Sequence, residues 1–303
     1  MFQPMAYEQG VRLRGKPLWF DASRRRELCV LTSLEARLPL LHRRTLASSP
    51  LAAALQAAGL AKDILPSPWR RPLGVAGLRM QLIDAAAPLG GAAALLEIGA
   101  GEALMMGLLR QQPADWPTCA SVTARLPALL HMGQGLPAVA LQAAQALESQ
   151  LKRGGPARLF VEHFEVGVVL LQAISAMGVP IVGRGNLHRL WQAVPGLPAP
   201  SAVLGCASVS VGRPVRALPP GAVVVDTGLG LFAGVPGLAD TLCMQLQYFA
   251  NVAQVLLMLE KTGARHLTVA QVSSPGESAL RRALGRRVSL YNLQAVQQLL
   301  LGA

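Results

Sequence analysis

The sequence predicts an α/β chain, and three observations carry that expectation. Over the first 125 residues, short apolar runs alternate with Pro/Gly turns. After that, strand-like and helix-like segments alternate up to a Pro-rich stretch, "PGLPAPSAV". The remainder again reads as strands and helices in turn. With 303 residues the chain is long enough to bury a large core.

In the β-rich part, "PLWF", "LCVLT", "LRMQLI", "AALLEI" and "ALMMGL" read as strands and "PLAAALQAAGL" as a helix. Glycines in "GVAGL" and "EIGAGEA" mark hairpins, and "HRRTLASSP" reads as a lead-in to the helix. Leu136 to Arg153 reads as a helix stopped by Gly154-Gly155-Pro156. A strand "ARLFVE", a helix from about Val166 to Met177, a strand "VPIV" and a helix "NLHRLWQAV" then make a small α/β unit. Beyond it, "GAVVVDTG" reads as a strand re-entering the first domain, followed by a long helix over 240–262 capped by Asp240 and stopped at Gly263. "RHLTVAQV" and "RVSLY" read as strands, "ESALRRAL" and "NLQAVQQLLL" as helices. The domain expectation is 1–145 for the first part of a main domain, 146–220 for an insert, and 221–303 for the second part.

Charged residues make up only 15% of the chain, below the roughly 25% of an average soluble protein. This reads either as an apolar face covered by another subunit or as a compositional bias toward Ala, Gly, Pro and Arg. The net charge of +12 is almost all arginine, since only Lys16, Lys62, Lys152 and Lys261 are lysines. The arginines cluster at Arg24, Arg25 and Arg26, at Arg43 and Arg44, at Arg70 and Arg71, at Arg281 and Arg282, and at Arg286 and Arg287. Guanidinium groups suit phosphate oxygens, so these clusters are nucleic-acid-binding candidates or, alternatively, solvated faces. Aromatic residues are 4% of the chain, too few for a base-stacking platform, so any nucleic-acid contact is expected at the backbone.

Cys29, Cys119, Cys206 and Cys243 lie far apart with no CxxC pair, which argues against a zinc knuckle or disulfide framework and fits a reducing, cytoplasmic setting. No signal peptide is legible in "MFQPMAYEQG". The apolar runs at 166–183 and 241–259 are broken by Gly178 and Pro180, and by Gln245, Gln247, Asn251 and Gln254, so no membrane partner is expected.

Five phrases in order carry a resemblance: "GVRLRGKPLWFDASRRRELCVLTS", "HRRTLASSPLAAAL", "LGGAAALLEI", "MGVPIVGRGNLHRLWQAV" and "VAQVLLMLEKTGARHLTVAQ". They resemble, over nearly the whole chain, the β-CASP nuclease group of the metallo-β-lactamase fold, and within it the bacterial ligase-associated DNA exonucleases and the RNA 3′-end-processing proteins. The resemblance implies an αββα sandwich with a small α/β, β-CASP-like insert. Active members hold divalent metals through a His-x-His-x-Asp-His turn and later His and Asp residues, and the metals generate hydroxide and clamp the phosphate.

Laid on this sequence, the turn positions fall on Ser33, Glu35, Arg37 and Leu38. The later ligand positions fall on Ala87, on Leu108 after the retained Gly107, near Ala124, on Phe249 and on Gln271. Only Asp21 survives, and the resemblance gives it a structural role. The resemblance therefore implies a site without its metal ligands: no metal, no cofactor and no catalysis of the inherited kind. The vacated cleft is expected to fill with apolar volume from Leu38, Leu108 and Phe249. The expected role is a pseudonuclease acting as a nucleic-acid-associated scaffold in DNA repair or nucleic-acid processing. Its partners would be an active nuclease relative, a ligase, a helicase or a second copy of itself.

Other residues with chemical potential are few. His42, His131, His163, His188 and His266 are scattered singly. "FVEHFE" offers Glu162, His163 and Glu165 at one strand-to-helix junction; Glu162 and His163 with Glu35 and Arg37 define an alternative, a hydrolase with a rebuilt site. The third possibility is a purely structural interaction protein. Ser33, Ser48 and Ser49 lack a Gly-x-Ser-x-Gly elbow. "GVPIVGRGN" lacks dinucleotide-binding spacing, and "VVVDTGLGLFAG" lacks the Lys-Ser/Thr of a P-loop.

Overall fold

The computed structural model describes residues 5–34, 42–61, 63–99, 101–110, 115–193, 205–214 and 217–294. Among them the chain forms three sheets and six α-helices. The first sheet runs in chain order: β1 (Met5–Tyr7), β2 (Val11–Leu13), β3 (Trp19–Phe20), β4 (Leu28–Val30), β5 (Arg44–Ser48) and β6 (Ile64–Ser67). Its first three strands pair antiparallel and the rest parallel. Helix α1 (Ser49–Ala57) joins β5 to β6; the Ser48 hydroxyl caps it by accepting the Leu51 amide. "HRRTLASSP" is thus largely strand β5, because Thr45–Ser48 pairs with β6 while Leu46 and Ala47 are buried.

The second sheet has the order β18-β17-β11-β10-β9-β8-β7. It comprises β7 (Leu73–Val75), β8 (Leu78–Asp84), β9 (Ala92–Ile98), β10 (Gly101–Leu108), β11 (Ser121–Arg125), β17 (His266–Ala270) and β18 (Ser289–Asn292). The two glycine-marked hairpins form as read. β7 turns into β8 through Ala76 and Gly77, both with positive φ, the geometry that two-residue hairpins favour. β9 and β10 pair antiparallel beside Gly99, which also has positive φ.

Met5, Val11, Phe20 and Val30 of the first sheet share one core with Met80, Leu82, Leu96 and Met105 of the second. On the far side of the second sheet, Leu104, Val122 and Leu267 pack with residues of α5 (Val252–Thr262) and α6 (Ser274–Leu284).

β11 and β17 pair directly although the chain leaves the sheet between them. The excursion holds α2 (Leu136–Lys152), β12 (Arg158–Val161), α3 (Phe164–Ala176), β13 (Ile181–Gly183), α4 (Asn186–Ala193), β14 (Ala207–Val211), β15 (Val223–Asp226) and β16 (Leu242–Gln245). Its five strands form an all-parallel sheet ordered β13-β14-β12-β15-β16.

Two expectations are corrected here. "GAVVVDTG" does not re-enter the main domain: β15 pairs with β12, so the insert runs past residue 220 to Gln245. The helix expected over 240–262 starts only at Val252, where Asn251 and Gln254 form a reciprocal capping box. Upstream, the β15 backbone recruits Leu242–Gln245 as a strand, and no local pattern marks that pairing. The final expected helix lies mostly outside the described residues.

Among the described residues no helix is long and apolar enough to cross a membrane. All four cysteines are free thiols.

Candidate functional site

A cavity of about 670 Å³ opens where strands from all three sheets end. β3 leads into Asp21, β4 into Ser33, β10 ends at Leu108, β11 at Arg125, β12 is followed by Glu162 and His163, and β17 by Gln271; all of these line it. Ligand sites in α/β proteins commonly lie at such carboxyl ends of strands.

The floor is a polar network. Asp21 has positive φ, and its carboxylate accepts the Thr32 amide at 2.7 Å and also the Thr32 hydroxyl. The Arg125 guanidinium lies 3.7 Å from the same carboxylate and donates from Nε to the Gln271 side chain at 2.7 Å. Gln271 also has positive φ, and conformations of this kind in non-glycine residues cluster at functional sites. Gly107 leaves the room this network needs, since a Cβ there would collide with the Thr32 hydroxyl.

The roof comes from the insert. Glu162 is fully buried and accepts four hydrogen bonds, from the Thr227 amide and hydroxyl and from the amides of Leu229 and Leu231, at 2.7 to 3.1 Å. Its oxygens thereby hold the 227–231 loop over the cavity. His163 caps α3, its Nδ1 accepting the Glu165 amide at 3.3 Å, and its ring packs edge-on against Phe249.

Behind the cavity, Glu165 and Arg110 form a buried bidentate pair at 2.6 to 2.8 Å. Burial works to lower the Arg110 pKa, but Glu165 and Tyr248 outweigh it and hold the guanidinium above its ordinary value. Burial, then Glu165, pushes the Tyr248 hydroxyl up. Cys29 is also near the floor, its thiol raised to about 12 by burial, so it stays protonated and is no nucleophile.

Of the positions mapped from the sequence, Ser33, Leu108 and Gln271 line this one cavity. Phe249 packs with Leu108 and Ala128 beside it, and Ala124 lies on β11 next to Arg125. Ala87 sits in the turn before β9 against Gly91, which also abuts Thr32. Glu35, Arg37 and Leu38 lie outside the described residues. Of the three side chains expected to fill the cleft, Leu108 lines the cavity, Phe249 is buried beside it and Leu38 lies outside the described residues; among the described residues a cavity remains between the sheets. Glu162 and His163 line its wall, with Glu162 committed to the loop; their expected meeting with Glu35 lies outside the described residues.

A dication is poorly served here. Among the described residues the mapped positions offer a hydroxyl, an amide and apolar groups; the carboxylate beside them, Asp21, is engaged by Thr32 and faces a fixed guanidinium. Among the described residues no cluster of three or more His, Cys, Asp or Glu could hold a metal ion.

The arginine clusters divide. Arg24 and Arg25 directly follow the wall residue Ser23 and are exposed. Arg26 instead stacks on Trp19 at 3.6 Å and donates to the Glu8 carbonyl. Arg43 pairs with Glu27, Arg70 with Asp115 and Arg281 with Glu277. Arg44 begins β5, and Arg71 is exposed next to β7. Arg282 is in the last turn of α6, and Arg286 and Arg287 lie between that helix and β18, whose first residue pairs with His266 at the start of β17. They are therefore at the end of the sheet opposite Gln271 and the cavity.

Sequence reasoning missed Arg125, Thr32, Arg110 and Arg213, the last an exposed wall residue after β14. The position of Arg125 beside Ala124 at a strand end was the available signal.

No family model matches this sequence, and no curated protein matches it. Among solved structures, a protein of unknown function from Enterococcus faecalis V583 is similar with a TM-score of 0.54 at 9% identity, over 87% of this chain and 78% of that one. A CmlA beta-hydroxylase mutant aligns with a TM-score of 0.36 at 9% identity, over 95% of this chain and 52% of that one. The first likeness shows a shared overall fold between this chain and the Enterococcus protein.

Proposed function

We propose that this chain is a non-catalytic relative of the β-CASP metallo-β-lactamase nucleases, an αββα sandwich with a parallel α/β insert, which binds nucleic acid rather than cutting it. One observation carries the reading. Ser33, Leu108 and Gln271, which the resemblance maps to metal-ligand positions, lie on one cavity, and a guanidinium between Asp21 and Gln271 occupies its floor. A fixed cation there opposes a dication and leaves no metal to generate hydroxide. Arg24, Arg25 and Arg213 at or next to the cavity wall supply phosphate contacts. Exposed Leu130, Met132, Leu141 and Leu242 provide apolar surface for a partner subunit.

The test combines two measurements on the full chain. Incubation with Mn²⁺ or Zn²⁺ is expected to yield no stoichiometric metal and no cleavage of single- or double-stranded DNA or RNA; a bound ion with turnover would overturn the reading. Oligonucleotide binding by fluorescence anisotropy is expected to weaken steeply with salt. Replacing Arg24, Arg25 and Arg213 with Ala is expected to reduce the log–log salt slope by roughly 1 for each phosphate no longer neutralised. An unchanged slope would sink the nucleic-acid part.

A further inference from the structure

We infer that the cavity is a binding site for a small organic anion, held by its acid group at Ser33 and Arg213 with its apolar body against the insert loop. The key observation is Ser33. It is 2% exposed and lines the cavity, and its Oγ meets no hydrogen-bond partner among the described residues. Buried hydroxyls are ordinarily bonded, because leaving one unsatisfied is destabilising. A hydroxyl kept there, when alanine would fit the same space, indicates a ligand that completes its bonding.

The surrounding charges select the ligand class. Both carboxylates on the wall are engaged by internal donors: Asp21 by Thr32 and Arg125, Glu162 by the 227–231 loop. Neither presents a lone, uncommitted negative charge to an incoming molecule. Arg213 is exposed on the same wall and makes no ion pair among the described residues, so its guanidinium can turn onto a bound acid group. Arg125, though paired, adds its positive field to the floor.

The rest of the wall is apolar where Leu108, Pro127, Val211, Leu229 and Leu231 contribute. A volume of about 670 Å³ is in the range of small-molecule sites. A hydroxyl and a guanidinium together with aliphatic wall in one cavity fit an amphipathic organic acid. This inference shares Arg213 with the nucleic-acid reading but does not depend on it, since that reading also draws on Arg24 and Arg25, which do not line the cavity, and Ser33 has no part in it.

Benzoate, with neutral benzyl alcohol as the matched control, serves as probe in saturation-transfer NMR titrations of the full chain. Benzoate is expected to bind saturably and at least about fivefold tighter than benzyl alcohol, about 1 kcal/mol by the tenfold-per-1.4 kcal/mol relation. Ser33→Ala and Arg213→Ala are each expected to weaken benzoate several-fold, while Arg282→Ala, at the far end of the sheet, leaves it unchanged. Ser33→Ala removes an unsatisfied group, so its melting temperature is expected to hold or rise, which separates loss of binding from loss of fold. Equal affinity for benzoate and benzyl alcohol, or a benzoate affinity indifferent to both Ser33→Ala and Arg213→Ala, would overturn the assignment. Either result leaves the metal and oligonucleotide measurements unaffected.

Discussion

Arg110, two residues beyond β10, and Arg125, the last residue of the neighbouring β11, are both buried and both face a carboxylate, yet they serve different ends. Arg110 meets Glu165 fork to fork at 2.6 to 2.8 Å and ties the main sheet to the first turn of α3 in the insert. Arg125 stands 3.7 Å from Asp21, shares itself with Gln271 and borders an open cavity. Geometry separates the two. A bidentate pair sealed from water uses up both partners and acts as a joint. A looser pair beside a cavity keeps an electrostatic field directed at whatever enters.

The Arg110–Glu165 joint is the most sensitive point of the two. Glu165→Ala leaves the Arg110 charge buried without its partner and is expected to destabilise the chain by about 3–5 kcal/mol in urea unfolding. The double replacement Arg110→Met with Glu165→Leu is expected to recover most of that stability, because an apolar pair avoids desolvating two charges. If Glu165→Ala is mild, the pair is no joint.

The cavity floor should respond less. Gly107→Ala places a methyl against the Thr32 hydroxyl and the Asp21 carboxylate, and overpacking of this kind is expected to destabilise by about 1–3 kcal/mol. The roof gives a comparable effect with a local signature. Glu162→Ala strands the amides of Thr227, Leu229 and Leu231, at about 1–3 kcal/mol, with faster amide exchange confined to that loop. Uniform exchange across the insert would mean the loop is not held by Glu162 alone.

The smallest effect is a pH dependence at His42. Burial, then Arg26, lowers its pKa below the ordinary 6.5. The unfolded chain therefore takes up a proton first, so this contribution to stability is present above about pH 6.5 and declines as the pH falls below it. His42→Gln is expected to flatten the stability profile between pH 7 and 5, measured by denaturation midpoints. An identical profile would remove His42 from the account.

Much of the secondary structure was legible because it is written locally. Gly77 and Gly99 supply the positive φ of their turns, and Pro50 and Ser48 open α1. Ser33, Leu108 and Gln271, which line one cavity, carry no local pattern that groups them; only the resemblance set them side by side. Strand β16 was not legible: "LCMQ" sits in an apolar run that also suits a helix, and pairing with β15 decides it. The arginine clusters looked alike on paper, but stacking on Trp19 and pairing with Glu27, Asp115 and Glu277 engage Arg26, Arg43, Arg70 and Arg281.

Amino-acid order by itself determined the α/β class, the hairpin turns and most helix bounds. Tertiary structure alone decided that the insert reaches Gln245, that Arg125 lies between Asp21 and Gln271, and that the cleft stays open with a buried hydroxyl on its wall. The reason is physical. Turns and caps are satisfied by neighbours a few residues away, whereas strand pairing and buried charge contacts join residues far apart in sequence and exist only once the sheets have packed.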